Sequence, residues 1–306
     1  MLQLTRMEPA AQASRLAGDD VEYTAFDPGH AANRAMLSIG EGLRLYHRHS
    51  VRGLGHLAAA LAQERPVVLV GNHCLDVVDP LMLNVAVYQE VGRPLRFIGH
   101  GSVFFETPLV RELAPIWGLI PNRHMALADT VLARERVLVL YPGSGAEAIL
   151  RSYWREPYRL KWYGRVGFVE LAARHRATLL FVAGLGIDEL YYQTDLRIPA
   201  AVMRILNAGD VEYYHGARLQ LGALGPHVVP AVFPLPVRVT HVISPPLGLS
   251  ADLDPDDEVA VRRTQVRLWA ECQSFLDRAI AARDRDSDTL DRIVRTTMYW
   301  MHRLGL

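Results

Sequence analysis

Lysine is nearly absent from this chain. Lys161 is the single lysine among 33 basic residues, which reads as a nucleotide-composition bias toward arginine rather than as a functional signal. Neither sign of charge prevails: 33 acidic residues balance the basic ones, so there is no electrostatic case for nucleic acid as the main partner. The two cysteines, Cys74 and Cys272, cannot form a disulfide framework and fit a reducing compartment. Long apolar runs are missing as well. Stretches such as residues 177–187 fall well short of the ~20 residues a spanning helix needs. The opening M-L-Q-L-T-R-M-E-P-A has no apolar h-region, so no signal peptide is expected. The expectation is a cytoplasmic protein whose membrane contact is peripheral, on the cytoplasmic face.

What the chain has in quantity is apolar side chain, 50% of 306 residues, enough to bury the core of one large α/β domain or two small ones. The reading is organised around residues 66–80, P-V-V-L-V-G-N-H-C-L-D-V-V-D-P. Val67, Val68, Leu69 and Val70 predict a strand buried on both faces, which stops at a Gly-Asn turn and presents His73. Leu75, Val78, Leu81, Met82 and Val85 then recur at helical spacing, placing Asp76 and Asp79 on the first turns after His73. A side chain just past the carboxyl end of a buried strand lies where open α/β sheets keep their chemistry. A carboxylate near an imidazole there can fix its tautomer and strengthen it as a base. The alternative is a histidine that caps the helix or satisfies a loop carbonyl.

Residues 1–30 are polar and Ala-rich, a poorly ordered arm by composition. Helices are expected at residues 36–46, 54–62, 107–113, 126–134 and 164–175, and buried strands at 95–98, 137–140 and 178–183. Residues 116–120 are apolar and end at Pro121-Asn122-Arg123, a turn carrying one strong cation. Residues 184–234 read as a loop-rich insertion with a helix at 199–206, and 237–243 alternates like a late strand. Asp252, Asp254, Pro255, Asp256 and Asp257 give helix-start chemistry for a helix running to about residue 283, and a last helix follows from about residue 288. This alternation implies an α/β fold, a mostly parallel central sheet flanked by helices, with additional N- and C-terminal helices. The domain reading is an arm at 1–30, an α/β domain at 31–250, and C-terminal helices at 251–306 packed on or beside it.

Other constellations point nowhere stronger. Ser144 follows a buried strand, but Pro142-Gly143-Ser144-Gly145 lacks the G-x-S-x-G elbow of an α/β-hydrolase. His73, Asp76 and Asp79 have no second histidine at helical spacing, so no metal site is expected. Cys74 reads as a core residue.

Taken in order, a strand ending in Asn72-His73, an acidic residue just downstream, G-L-I-P-N-R at 118–123 and V-L-Y-P-G-S-G-A-E-A at 139–148 resemble the sequence blocks of the glycerolipid acyltransferase superfamily. Within it the chain is most similar to the neutral-lipid branch of diacylglycerol and phytyl-ester synthase type, which K-W-Y-G-R-V-G-F at 161–168 and P-L-P-V at 234–237 also fit. The likeness covers roughly residues 45–250. The common H-x-x-x-x-D motif would place its aspartate at position 78, where this chain has Val78. One more intervening residue, tolerated in the neutral-lipid branch, selects Asp79; Asp76 is the competing orienter. The third block of members with phosphorylated acceptors reads F-P-E-G-T-R, and its Glu and Arg are absent from residues 141–145, which points away from a phosphorylated acceptor.

The resemblance implies acyl transfer from a thioester, acyl-CoA or acyl carrier protein acting as substrate rather than cofactor, to a hydroxyl of a lipid acceptor. That acceptor would be a neutral lipid: diacylglycerol, monoacylglycerol or a long-chain alcohol. His73 is then the general base and Asp79 its orienter. Gly143, Ser144 and Gly145 offer backbone N–H groups to an oxyanion or phosphate, or form a plain strand-to-helix turn. Arg123 pairs with a donor phosphate, or makes a surface ion pair. Glu147 belongs to the same binding turn, though its place near a helix N-terminus alone could explain it. These groups should converge on one cleft leading into an apolar groove, which Trp117, Trp154 or Trp162 could line if they are not core packing. Two alternatives stay open: a lysophospholipid acyltransferase of phospholipid synthesis, or a non-catalytic acyl-lipid carrier. Finally, Leu290, Ile293, Val294, Thr297, Met298, Met301 and Leu304 share one face of the last helix and Arg292, Arg295 and Arg303 the other, which suits either a membrane interface or docking on the core.

Overall fold

The structure is a computed structural model that describes residues 21–74, 77–105, 108–122, 124–199, 201–202, 217–227, 233–286 and 288–304. In chain order its elements are α1 Ala31–Tyr46, β1 Ser50–Arg52, α2 Leu54–Ala62, β2 Val67–Gly71, α3 Val78–Val91, β3 Phe97–Gly99, α4 Gly101–Phe105, α5 Pro108–Leu113, β4 Leu119–Pro121, α6 Met125–Arg134 and β5 Val137–Leu140. A π-helical turn Ala146–Leu150 follows, then α7 Gly167–Arg174, β6 Thr178–Leu185, β7 Tyr192–Arg197, β8 Arg218–Gly222, β9 Gly225–His227, β10 Thr240–Ile243, α8 Glu258–Arg285 and α9 Thr289–Arg303. The parallel-sheet α/β fold expected from the alternation of strands and helices is what the chain forms.

The large sheet has the order β1-β10-β6-β2-β5-β3-β4. Five strands, β6, β2, β5, β3 and β4, run parallel, and β10 joins them antiparallel with β1 parallel to it on the edge. β2 has parallel partners on both sides, in register Val70 to Leu140 of β5 and Val70 to Phe181 of β6. That central position explains its unbroken apolar run, since no edge of it meets water. Its side chains alternate between two cores. Val68 and Val70 pack with Leu127, Val131, Phe168, Leu171, Leu268 and Leu276, from α6, α7 and α8, whereas Val67 and Leu69 pack with Leu57, Leu83 and Val87, from α2 and α3.

The insertion at 184–234 holds more structure than its sequence signals. β7, β8 and β9 form a separate antiparallel sheet there, whose register shifts between Gln193 and Arg197 and so blurs the period-2 pattern. Of the helix expected at 199–206, residues 200 and 203–206 lie outside the described residues. Residues 1–20 of the expected arm also lie outside them, while Tyr23 donates from its hydroxyl to Glu135 at 2.8 Å.

The acidic helix starts act as N-caps: Asp257 accepts from Val259 N and Ala260 N, and Asp288 from Asp291 N. α9 then docks in an unexpected orientation. Met298 is buried and Val294 half-buried, but Leu290, Ile293, Trp300 and Leu304 are 43%, 57%, 56% and 71% exposed. Its apolar face is split, with one edge on the core and the other in water. No helix among the described residues is long and apolar enough to cross a membrane.

Gly186 fixes the turn out of β6. It sits at φ +88°, and a Cβ there would lie 2.1 Å from the Arg238 carbonyl oxygen. Both the backbone conformation and the contact exclude a side chain. Gly186→Ala should therefore destabilise the chain by at least about 2 kcal/mol in denaturant unfolding; an unchanged midpoint would show that the turn relaxes freely.

Candidate active site

β2 ends at Gly71, and the residue after it is clamped. The Asn72 amide donates to Gly184 O at 3.0 Å and accepts from Gly184 N at 2.8 Å, so it continues the β2–β6 pairing with a side chain. His73 is thereby delivered at the carboxyl end of the central strand. Its main-chain N–H donates to Glu147 Oε2 at 2.9 Å, its carbonyl accepts from Arg151 Nη2 at 3.5 Å, and its ring stacks on Tyr141 with centroids 4.7 Å apart.

Asp79 lies in the first turn of α3, 1% exposed, where the helix N-terminus favours a carboxylate. Its Oδ1 accepts from Cys74 Sγ at 3.6 Å. Desolvation pushes His73 below its ordinary pKa of 6.5, the Asp79 charge opposes that, and Arg151 adds to the lowering. Tyr141 is raised well above its ordinary value by burial, then by Asp79 and Cys74. His73 Nδ1, Tyr141 Oη and His241 Nε2 are all buried and make no hydrogen bond among the described residues. Asp79 acts on the first two through its charge and lies 3.9 Å from the third. Unpaired polar atoms around one buried carboxylate mark a site built for more than packing. Asp76, the competing orienter, lies outside the described residues.

The turn after β5 serves His73 from the other side. Glu147 is fully buried and uses both oxygens on main-chain donors, Oε2 on His73 and Oε1 on Lys161 N at 2.7 Å. A Cβ on Gly143 would lie 2.0 Å from Glu147 Cδ, so the glycine makes room for that carboxylate to reach His73. Ser144 takes φ +44°, and its N–H is bonded to Tyr141 O; Ala146 N and Glu147 N turn to Gly143 O. Of the N–H groups expected to meet an anion, that of Ser144 is thus engaged within the turn itself. Gly145 is buried in the same turn. Arg123 lies outside the described residues.

Two residues not singled out from sequence complete the frame. Arg151 and Asp188 form a buried bidentate pair, both contacts 2.6 Å, and Asp188 also accepts from Tyr158 N. The available signal was position: Asp188 follows the end of β6, as His73 follows the end of β2.

The chain is an α/β protein whose mostly parallel sheet ends its central strand next to a histidine, with a buried aspartate in the first turn of the next helix. Residues 50–182, from β1 into β6, match the Acyltransferase family model. It is 30% identical over 196 residues to uncharacterized protein Rv0502 of Mycobacterium tuberculosis and to uncharacterized protein Mb0514 of Mycobacterium bovis, covering 61% of this chain and 51% of each relative. It is 27% identical over 283 residues to uncharacterized protein ML2427 of Mycobacterium leprae, covering 88% of this chain and 70% of that protein. The chain thus spans about half the length of the first two relatives.

Burial pushes Glu147 up from its ordinary 4.5 to about 7, against lowering by Arg151 and the two main-chain donors. The folded chain holds this proton more tightly than the unfolded one. Its contribution to stability is full below pH 4.5 and fades as pH rises through about 7. In Glu147→Gln an amide N–H2 faces one of the two donors, at a cost of about 1–3 kcal/mol. The stability gap between wild type and Glu147→Gln should also narrow by up to about 3 kcal/mol from pH 4.5 to 7. A gap that widens over that range would mean the carboxylate is held ionised.

Proposed function

We propose that this chain is an O-acyltransferase that moves a fatty acyl group from a thioester to a lipid hydroxyl. The observation that carries the reading is His73 at the end of the central strand, inside the family-matched segment, with the charge of buried Asp79 acting on its ring. Neutral His73 takes the acceptor's hydroxyl proton as the oxygen attacks the thioester carbonyl. The new O–C bond forms, the C–S bond breaks, and the thiolate leaves with the proton from the imidazolium. Asp79 stabilises that imidazolium while staying ionised. Glu147 and Arg151 hold the His73 backbone and so act as positioning residues.

A neutral-lipid acceptor is favoured by what the third block does with its carboxylate. The only acidic side chain in the 141–148 turn, Glu147, is spent on main-chain N–H groups, and the turn has no arginine to meet an acceptor phosphate. Acyl-CoA and acyl carrier protein both fit as donor. His73→Ala should lower transfer by about 10²–10⁴-fold while leaving donor binding intact, read by assay with diacylglycerol, a long-chain alcohol and a lysophospholipid as acceptors. Donor binding without turnover in wild type would favour the acyl-lipid carrier instead.

The acid limb of the rate should lie below the ordinary histidine range, because desolvation keeps His73 neutral to lower pH. Asp79→Asn removes the raising influence, so its limb should move to still lower pH as the maximal rate falls. A limb that moves up would place Asp79 outside the base's environment.

Contact with lipid is assigned to α9. Leu290, Ile293, Trp300 and Leu304 form an exposed stripe flanked by exposed Arg292 and Arg303, a pattern suited to lie on an anionic bilayer. Replacing Leu290, Ile293 and Trp300 by serine should markedly lower sedimentation of the intact chain with phosphatidylserine-containing liposomes. Equal sedimentation would remove this helix from the mechanism.

A further inference from the structure

The buried carboxylate of Asp79 has a second histidine beside it. His241, in β10, is 1% exposed and sets its Nε2 3.9 Å from Asp79 Oδ2. Its Nδ1 lies 2.8 Å from Nε2 of His49, whose own Nδ1 lies 3.3 Å from Arg44 Nε. The four side chains come from α1, the turn before β1, β10 and α3. The sheet fixes their meeting: β10 places His241 opposite Gly184, the residue whose main chain Asn72 clamps next to His73.

The tautomers follow from the outer end inward. An arginine Nε–H can only donate, so His49 Nδ1 is an acceptor and the His49 proton is on Nε2. Burial, with His241, Arg44 and His47 adding to it, pushes His49 down to about 2, so the ring carries one proton and not two. That proton points at His241 Nδ1, which must then accept. The proton of a neutral His241 is left on Nε2, the atom that has no hydrogen-bond partner among the described residues and lies nearest Asp79.

We propose that His241 is a positioning residue for the transfer reaction: its Nε2–H holds one oxygen of Asp79 and leaves the other to His73 Nδ1, so that one carboxylate is shared by two histidines. This rests on the reading of His73 as the general base. Closing 3.9 Å to a hydrogen bond takes about 1 Å, and catalytic hydrogen bonds that are long in the free protein tighten when substrate binds. Asp79 without this donor would be free to turn away from His73, and the cost would fall on the chemical step rather than on substrate binding.

The test is steady-state transfer by full-length His241→Phe and His241→Gln, each alone and combined with Asp79→Asn. Phenylalanine fills the site without a donor, whereas the glutamine amide presents an N–H near the place of Nε2. His241→Phe should lower kcat about tenfold, the lower end of what loss of a ligand's orienting partner costs, with KM for donor and acceptor unchanged. His241→Gln should restore most of that loss, and His241→Phe should cost nothing further in Asp79→Asn. An unchanged kcat in His241→Phe, an equal loss in His241→Gln, or a full additional loss in the Asp79→Asn background would each overturn the assignment. If His241→Phe does not fold, the comparison of His241→Gln with wild type decides it: retained kcat supports the role and a tenfold loss ends it. Failure of the underlying reading shows separately, as transfer that survives His73→Ala.

Discussion

The hydrogen bond from the His73 main-chain N–H to Glu147 joins the ends of two neighbouring strands, and the site depends on it. β2 delivers His73 and β5 delivers the turn that carries Glu147; without the bond each would end in an independent loop. The Asn72 amide makes a corresponding tie to β6. Three parallel strand ends are thereby fixed to one another around a single imidazole, the preorganisation that the proposed role of His73 as general base requires. Backbone donors are well suited to this task, because they cannot rotate away from the carboxylate as side chains can.

That frame is expensive in stability. Glu147, Arg151, Asp188 and Asp79 are all buried, and ionised groups out of water are stable only when their partners are present. The Arg151–Asp188 pair, bidentate and closed by Tyr158 N, is satisfied. The surroundings of Asp79 are not: among the described residues His73 Nδ1, Tyr141 Oη and His241 Nε2 have no hydrogen-bond partner. A fully satisfied network would be rigid and inert, whereas unsatisfied groups around one carboxylate leave it able to form a bond to His73 in the proposed reaction, as positive charge develops there.

Much of this was legible in sequence where the determinants are local. Val67 to Val70 and Val137 to Leu140 read as buried strands because turn residues bound short β-branched runs, and both are strands in the sheet. The acidic run ending at Asp257 read as a helix start because a carboxylate there can accept main-chain N–H groups, as that of Asp257 does. The unread part is long-range. Arg151 and Asp188 are separated by 37 residues, and His49 and His241 by 192; no spacing rule relates them until the sheet order is known. Glu147 lay in a block singled out from sequence, yet its use of both oxygens on backbone donors could come only from packing. The choice of Asp79 over Asp76 came from family spacing alone.

The docking of α9 shows how charge can overrule apolar burial. Asp288 and Asp291 face the protein, where Arg48 reaches both at 2.8 and 2.9 Å, Arg238 reaches Asp288 at 2.9 Å, and the Arg238 main-chain N–H donates to Asp291 at 3.0 Å. Rotating the helix to bury Trp300 and Ile293 would carry Asp291, 8% exposed in place, away from those donors and leave Arg48 and Arg238 without their acceptors. Arg48 and Arg238 would together give up four hydrogen bonds to the two carboxylates in exchange for the burial of Trp300 and Ile293. The ion pairs at the start of α9 therefore set its rotation, and its second apolar edge, Leu290, Ile293, Trp300 and Leu304, faces outward as a consequence.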